Sequence, residues 1–347
     1  MQSSRFRRMM GSLFLSLALS VFTTGLLIRL WPADVLERLR SAWAWKPLAL
    51  YASIALAGAL LRTFRYAHLL QPARPPFLPL FLTTLVRNFT VDLLPMRLGS
   101  LSFPALVHYR LRIPWPHTWS AYAWAIVWDF VSLALFLWVT LLALPASTPG
   151  YHWLALLPLT LTVASLALLF APRKTLALIL QRLFRRRHHP LFRPLKQWLY
   201  HHRHFWHGLL TVTDTPFRTR SSLVLIESLA IRTAKYAALF TLYHHYLNIT
   251  THQVAPLPFA AFIWTLTFAE MTAALPVQGL MNIGPWEFAW SFAMTRFNAH
   301  QPAVSAVLST LVHWSSQLWE YAIGALALGL LFLMPRRPVS PEKTIDT

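Results

Sequence analysis

Long apolar segments alternate with short polar connections along most of this 347-residue chain. About 20 apolar residues in a helix match the hydrocarbon core of a bilayer, which is about 30 Å thick, because an α-helix rises about 1.5 Å per residue. Six segments reach this length and are predicted transmembrane helices: about 10–30, 47–70, 118–144, 152–171, 221–247 and 303–334. The hydrophobic pattern therefore predicts an all-α polytopic membrane protein.

Two further hydrophobic stretches, at about 77–113 and 257–300, are interrupted in the middle by proline and glycine. The interrupting residues are Pro95 and Gly99 in the first stretch, and Pro276, Gly279 and Gly284 in the second. They break a helix, and lipid offers no water to the freed backbone groups, so protein or a wet cavity must surround them. A matched pair of broken segments, one in each half of a chain, is typical of a transporter binding site.

Lysine and arginine are concentrated in some of the connections, which predicts the orientation of the chain in the bilayer. The connection 172–220 holds eleven Lys or Arg against one acid, whereas 145–152 and 248–255 hold neither kind of charge. Further basic residues lie in the segment 62–74 (Arg62, Arg65 and Arg74) and in the tail (Arg336, Arg337 and Lys343). Because cytoplasmic loops carry the excess of Lys and Arg, both termini and the 172–220 loop are predicted to be cytoplasmic.

This orientation predicts that the two broken stretches enter the bilayer from opposite faces. Each would form a re-entrant hairpin, and the two halves of one membrane domain, 40–144 and 221–334, would be an inverted repeat. The alternative is that 257–276 spans the bilayer by itself, which gives seven or eight full crossings without inverted symmetry. The first apolar segment lacks an A-x-A cleavage site and is interpreted as an uncleaved helix.

The amino-acid composition mainly argues against several classes of function. The net charge of +20 would favour nucleic acid in a soluble protein, but here the basic residues flank apolar segments, so no nucleic-acid partner is predicted. The chain has no cysteine, and it contains no G-x-S-x-G, H-E-x-x-H or Walker A sequence. We therefore predict no catalytic role, no metal site and no cofactor.

Histidines are numerous but carry no predicted metal chemistry. Six lie between residues 188 and 207, without an accompanying carboxylate or cysteine, and are interpreted as part of a solvated basic loop. Four more are interpreted as packing or interfacial residues near the ends of spans: His108, His244, His245 and His313.

Charged residues also occur inside the apolar segments, where each costs about 2.5–3.5 kcal/mol unless it is paired or faces the bundle interior. These residues are Asp92, Asp129, Glu227, Glu270, Glu287, Glu320, Arg87, Arg97, Arg232 and Lys235. Arg232 and Lys235 lie three residues apart on one helical face and together could bind a phosphate. For about half of the set the alternative is a structural ion pair between helices, with Asp129 and Glu320 favoured for that role.

The residues that follow each break are predicted to start half-helices. Ser100 or Ser102 can cap one after the first break, while Pro285 can begin another after Gly284, with Glu287 in its first turn. Such a start presents unpaired N–H groups and a positive dipole end to an anionic headgroup. Glu287 has two equally weighted interpretations, as a ligand for substrate or as the cap of its own helix.

A family resemblance is carried by LRTFRYAHLLQPARPPF, RNFTVDLLPMRLGSLSFPALVHYR and VWDF in the first half and by ALPVQGLMNIGPWEFAW in the second. Over about residues 47–333 the chain resembles the membrane region of lysylphosphatidylglycerol synthases, a flippase-like family. The resemblance implies a protein that moves lipids or lipid-linked sugars across the bilayer. Since the chain ends at Thr347, the soluble aminoacyl-transferase domain of bifunctional members is not expected.

The resemblance also implies roles for Asn88, Pro95, Arg97, Gly99, Pro276, Gly279, Gly284 and Glu287. The family's motif commonly carries an acid after the residue that corresponds to Gly99, but this chain has Ser100 there. Arg97 is therefore favoured over a carboxylate as the functional residue of the first motif.

The leading hypothesis is a lipid flippase or lipid transporter in a bacterial cytoplasmic (inner) membrane, with membrane lipids as partners. It would move a polar or anionic phospholipid or a lipid-linked headgroup, with Glu270 or Glu287 available for a coupling proton. The predicted substrate-binding residues are Asn88, Arg97, Arg232, Lys235, Asn282 and Glu287. The alternatives are a membrane-embedded transferase acting on a lipid carrier, a non-catalytic partner of a lipid-modifying synthase, and a transporter of small solutes. No oligomeric state is predicted.

Overall fold

The computed structural model describes residues 17–35, 37, 40, 45–93, 99–145, 147–148, 150–170, 215–250, 255–272, 283–297 and 301–335. Regular structure among these residues is helical, with no β-strand, and the predicted all-α fold is confirmed. The helices are α1 (Leu17–Arg29), α2 (Trp45–Leu69), α3 (Phe77–Leu93), α4 (Ser102–Leu111), α5 (Trp115–Leu142), α6 (Tyr151–Leu154), α7 (Leu156–Phe170), α8 (Thr215–Thr250), α9 (Phe259–Thr272), α10 (Pro285–Arg296) and α11 (Pro302–Leu333).

Four described helical segments are long and apolar enough to cross a membrane: α2, α5, the segment Tyr151–Leu169 and α11. They coincide with four of the six predicted spans. Helix α8 is longer, at 36 residues, but it carries Glu227, Arg232 and Lys235 and is not among these four. Large apolar side chains on the outer surfaces of α5 and α11 are exposed, as expected of helices that face lipid. The number of crossings stays a prediction.

The order of helices is the same in the two predicted halves. Each half has a long helix, two short helices on either side of the break, and a second long helix: α2 to α5 in the first half and α8 to α11 in the second. The two halves also contact each other reciprocally. Helices α2 and α8 pack together, α3 packs on α11, and α9 packs on α5. The order of the described helices agrees with the predicted division into two halves, while the repeat and the inverted orientation of its halves stay predictions.

Buried apolar side chains surround the short helices of both breaks. In the second half, Trp264 of α9 and Trp290 of α10 are fully buried in the largest core cluster. In the first half, Phe103 of α4 stacks on Tyr66 of α2, with ring centroids 3.8 Å apart, in a second cluster. One face of the helices next to the breaks is therefore packed against protein, while side chains on other faces, such as Phe292 of α10, are exposed. Contact with protein is the condition under which broken helices are tolerated at membrane depth.

Gly99 lets the first break close tightly. A Cβ atom at Gly99 would lie 1.6 Å from the backbone oxygen of Thr90, so only glycine allows α4 to begin against α3. The Thr90 hydroxyl lies 3.0 Å from the Gly99 carbonyl oxygen and 2.7 Å from the hydroxyl of Ser102. The prediction that Ser100 or Ser102 caps α4 is wrong, because the N-cap residue is Leu101 and no side chain caps this helix.

Gly284 has the corresponding role at the second break. Its φ of 100° lies in the region that favours glycine, and Pro285 follows as the first residue of α10, as predicted. A Cβ atom here would lie 2.0 Å from the Thr23 hydroxyl oxygen of α1. Helix α1 therefore packs directly against the second break.

Candidate functional site

Two arginines and an asparagine meet between α2 and α3, close to the first break. Arg62 Nη1 donates to Asn88 Oδ1 over 2.5 Å, and Arg87 Nη1 donates to the same oxygen over 3.3 Å. The Nε atom of each arginine is buried and has no hydrogen-bond partner among the described residues. Neither guanidinium forms an ion pair with any residue that the structure describes. Two cations therefore share one neutral acceptor. We call Arg62, Arg87 and Asn88 the arginine site.

A narrow cavity lies beside the arginine site, at the contact between the two halves. It is lined by Asn88 and Leu85 of α3, by α2, and by Trp319, Glu320 and Ile323 of α11. Its volume is about 20 Å³, which is room for about one water molecule. Glu320 interacts electrostatically with Arg62, Arg87 and Asp92. A lipid headgroup would need α11 to move away from α2 and α3 before it could enter.

Other charges in the first half are tied into a structural network between helices. Arg65 of α2 lies 2.6 Å from Asp129 of α5 and donates to Ser228 of α8 over 2.9 Å. Further along the α2–α8 contact, His68 lies 2.8 Å from Glu227. Asp129 therefore forms the interhelical ion pair that was the structural alternative for it.

Two of the arginines used to predict orientation are not loop residues. The segment 62–74 was counted among the basic connections, but Arg62 and Arg65 lie within the predicted span 47–70, and α2 continues without a break to Leu69. The Arg65 side chain retains only 1 % of its accessible surface. The predicted orientation then depends on Arg74, the 172–220 loop and the tail.

Arg232 and Lys235, the predicted phosphate pair, are each bound by a different neighbouring helix. Arg232 donates to the Asp129 carbonyl oxygen of α5 over 2.8 Å and to the Tyr236 hydroxyl over 3.1 Å. Lys235 lies 2.5 Å from Glu270 of α9. The Tyr236 hydroxyl also lies 3.4 Å from Glu270 Oε2 and so connects the two cations, both of which have protein groups as partners.

Glu287 closes the start of α10. Its Oε2 accepts the Gly284 N–H over 2.6 Å, and its Oε1 accepts from His313 Nδ1 over 2.7 Å and from Trp314 Nε1 over 2.9 Å. The residue retains 1 % exposure. Because its own carboxylate binds this helix start, the expected open seat for an anionic headgroup is not present there, and the cap interpretation of Glu287 agrees with the structure.

His313 lies inside α11 and connects the two breaks. It lies within Pro302–Leu333 and not near an end, so its predicted place is wrong. Its predicted packing role agrees with the structure, because it is 2 % exposed and its ring stacks on Trp286, with centroids 4.0 Å apart. Its Nε2 lies 3.1 Å from Gln317 Nε2, which in turn lies 3.4 Å from Asp92 Oδ2 of α3. We call Asp92, Gln317, His313 and Glu287 the polar chain. The recurrence of His313, Gln317 and Glu320 on one face of an apolar helix is the sequence signal that could have identified it.

Several predicted site residues lie outside the described residues. They are Pro95, Arg97, Pro276, Gly279 and Asn282, together with the 172–214 part of the basic loop and its six histidines. Among the described residues, no group of three or more His, Cys, Asp or Glu could hold a metal ion.

No protein-family model matches the chain, and no curated protein or solved structure is significantly similar to it. The resemblance to the membrane region of lysylphosphatidylglycerol synthases therefore stays a prediction.

Proposed function

We propose that this membrane protein is a transporter that moves a lipid with a polar, anionic headgroup between leaflets. The observation that carries the proposal is the arginine site, in which Arg62 and Arg87 share the single acceptor Asn88 Oδ1. The bacterial cytoplasmic membrane, with both termini in the cytoplasm, is the proposed setting.

An anion is the ligand that this arrangement favours. Two neighbouring guanidinium groups repel each other, and their buried Nε atoms lack partners among the described residues. Burying a polar group without a hydrogen bond is costly, so a bound phosphate that accepts from both groups would be strongly stabilised. Arginine suits this role because its planar fork matches the geometry of phosphate oxygens.

The location of the arginine site favours transport over simple binding. It lies on α2 and α3 of the first half, and α11 of the second half forms the opposite wall of the cavity. In transporters built from repeats, one half rocks against the other around a site at their contact. A movement of α11 would widen the narrow cavity and expose the arginines to a headgroup, while acyl chains remain in lipid.

The test is transport by purified protein in vesicles that contain a fluorescent anionic phospholipid, with quenching from outside to measure exchange between leaflets. We expect Arg62→Gln and Arg87→Gln to slow exchange about ten- to a hundredfold at low lipid content, since a charge-assisted hydrogen bond contributes about 1.5–3 kcal/mol. The matched control is Arg296→Gln, which removes an exposed arginine at the end of α10.

Two results would contradict the proposal. One is wild-type protein that moves no labelled lipid, and the other is an Arg62→Gln, Arg87→Gln double variant that moves it at the rate of the Arg296→Gln control.

A further inference from the structure

We propose that His313 binds and releases a proton during the transport cycle, and that this proton couples the second break to the first. The inference rests on the lipid transport proposed above and names its coupling ion. It is carried by the polar chain, which runs from Asp92 of α3 through Gln317 and His313 of α11 to Glu287 of α10.

One assignment of protons satisfies every contact of the polar chain. With Glu287 as a carboxylate that accepts from Gly284 and Trp314, His313 Nδ1 donates to it. Nε2 of a neutral His313 is then an acceptor, and one hydrogen of the Gln317 amide nitrogen donates to it over 3.1 Å. The other hydrogen of that nitrogen faces Asp92 Oδ2 at 3.4 Å. Every contact in the polar chain joins a donor to an acceptor while His313 is neutral.

A second proton on His313 removes this match between donors and acceptors. Both ring nitrogens of an imidazolium donate, so Nε2 would face the Gln317 amide nitrogen donor to donor. Rotation of the amide relieves this contact by turning Gln317 Oε1 toward the ring. That oxygen is buried and has no partner among the described residues, so the rotation breaks no bond on its side. After rotation, however, Oε1 faces the Asp92 carboxylate, and the link between α11 and α3 is lost unless Asp92 takes up a proton itself.

The arginine site lies one helical turn from this link. Asp92 and Asn88 are four residues apart on α3 and therefore share a face of the helix. Loss of the Asp92 contact removes a hydrogen bond between α3 and α11, which favours the movement of α11 that opens the cavity next to Asn88. Protonation of His313 is in this way coupled to access of the headgroup.

Other titratable and charged groups surround the polar chain and set its electrostatic environment. Tyr51 of α2 and Tyr321 of α11 interact electrostatically with Asp92. Glu320 of α11 interacts with Asp92 and also with Arg62 of α2, Arg87 of α3 and Lys235 of α8. Among the described residues, His313 is the histidine that hydrogen-bonds to the acid of the second break.

The experiment uses vesicles that contain the full-length protein, fluorescent phosphatidylglycerol and an imposed gradient of one pH unit. The steady-state distribution of the labelled lipid between leaflets is measured by quenching from outside. Exchange without coupling leaves the leaflets equal, whereas one proton per lipid can enrich one leaflet up to about tenfold, because one pH unit is about 1.4 kcal/mol. The variants are His313→Gln and Gln317→Met. The control is His244→Gln, whose ring faces the Phe240 carbonyl oxygen at 3.1 Å.

We expect enrichment with wild-type protein and with His244→Gln, and an equal distribution with His313→Gln and Gln317→Met, which still move lipid. Proton coupling is overturned, with transport intact, if wild-type protein moves lipid without responding to the gradient or if both variants enrich it as wild type does. If wild-type protein moves no lipid at all, the proposed function fails and the coupling fails with it. Gln317→Met retains both His313 and Glu287, so a folding defect in His313→Gln alone does not decide the result.

Discussion

The two breaks of this chain have similar sequences but opposite electrostatic arrangements. At the second break, the buried carboxylate of Glu287 accepts three hydrogen bonds and holds α10 against α11. At the first break, Arg62 and Arg87 share one neutral oxygen, and each retains a buried N–H without a partner among the described residues. The difference favours a structural role for Glu287 at the second break, and it makes the first break the proposed site of the ligand.

Glu287→Ala should have the largest effect on stability. It leaves the Gly284 N–H, the His313 ring and the Trp314 N–H without their acceptor, and each buried donor left unpaired costs about 1–3 kcal/mol. Thermal unfolding in detergent measures the change. A loss below about 1 kcal/mol would contradict the role of Glu287 as a support.

Gly99→Ala should have an intermediate effect, because its Cβ atom meets the rigid backbone of Thr90. Overpacking of this kind costs about 1–3 kcal/mol, and more where the backbone must shift. The matched control is Gly329→Ala in α11, where a Cβ atom has no neighbour within 4 Å and alanine favours the helix. Equal unfolding temperatures for the two variants would rule out the tight closure of the first break.

Arg62→Gln should have the smallest effect on stability although it impairs transport. Removal of one guanidinium relieves the repulsion from Arg87, and the amide can still hydrogen-bond to Asn88, so the free energy of unfolding should change by less than about 1 kcal/mol. Thermal unfolding in detergent, measured on the same preparation as the transport assay, checks this expected stability. A loss as large as that of Glu287→Ala would mean that the first break is also a structural support.

The sequence predicts the helices well because helix formation in lipid follows from local hydrophobicity. The spans at 47–70, 118–144 and 303–334 differ from α2, α5 and α11 by at most three residues at either end. The breaks were also predictable, since proline and glycine act locally. Glu287 was identified as a cap candidate from its position after Pro285, again a local signal.

The partners of the charged residues could not be predicted in the same way. Arg65 lies 64 positions from Asp129 in the chain, and only the packing of α2 on α5 brings them together. Arg62 was counted with the basic residues of the following connection because a charge near the end of an apolar segment resembles a flanking residue. His313 was assigned to packing because a single histidine has no distinctive spacing. Their roles depend on which helices touch, and that information is tertiary.

The central claim is that the arginine site of the first break binds an anionic lipid headgroup. The most direct measurement is native mass spectrometry of the purified protein with added phosphatidylglycerol, which counts retained lipid molecules. We expect wild-type protein and Arg296→Gln to retain phosphatidylglycerol, and the Arg62→Gln, Arg87→Gln double variant to lose it at the same lipid concentration. Equal retention by all three proteins would contradict the claim.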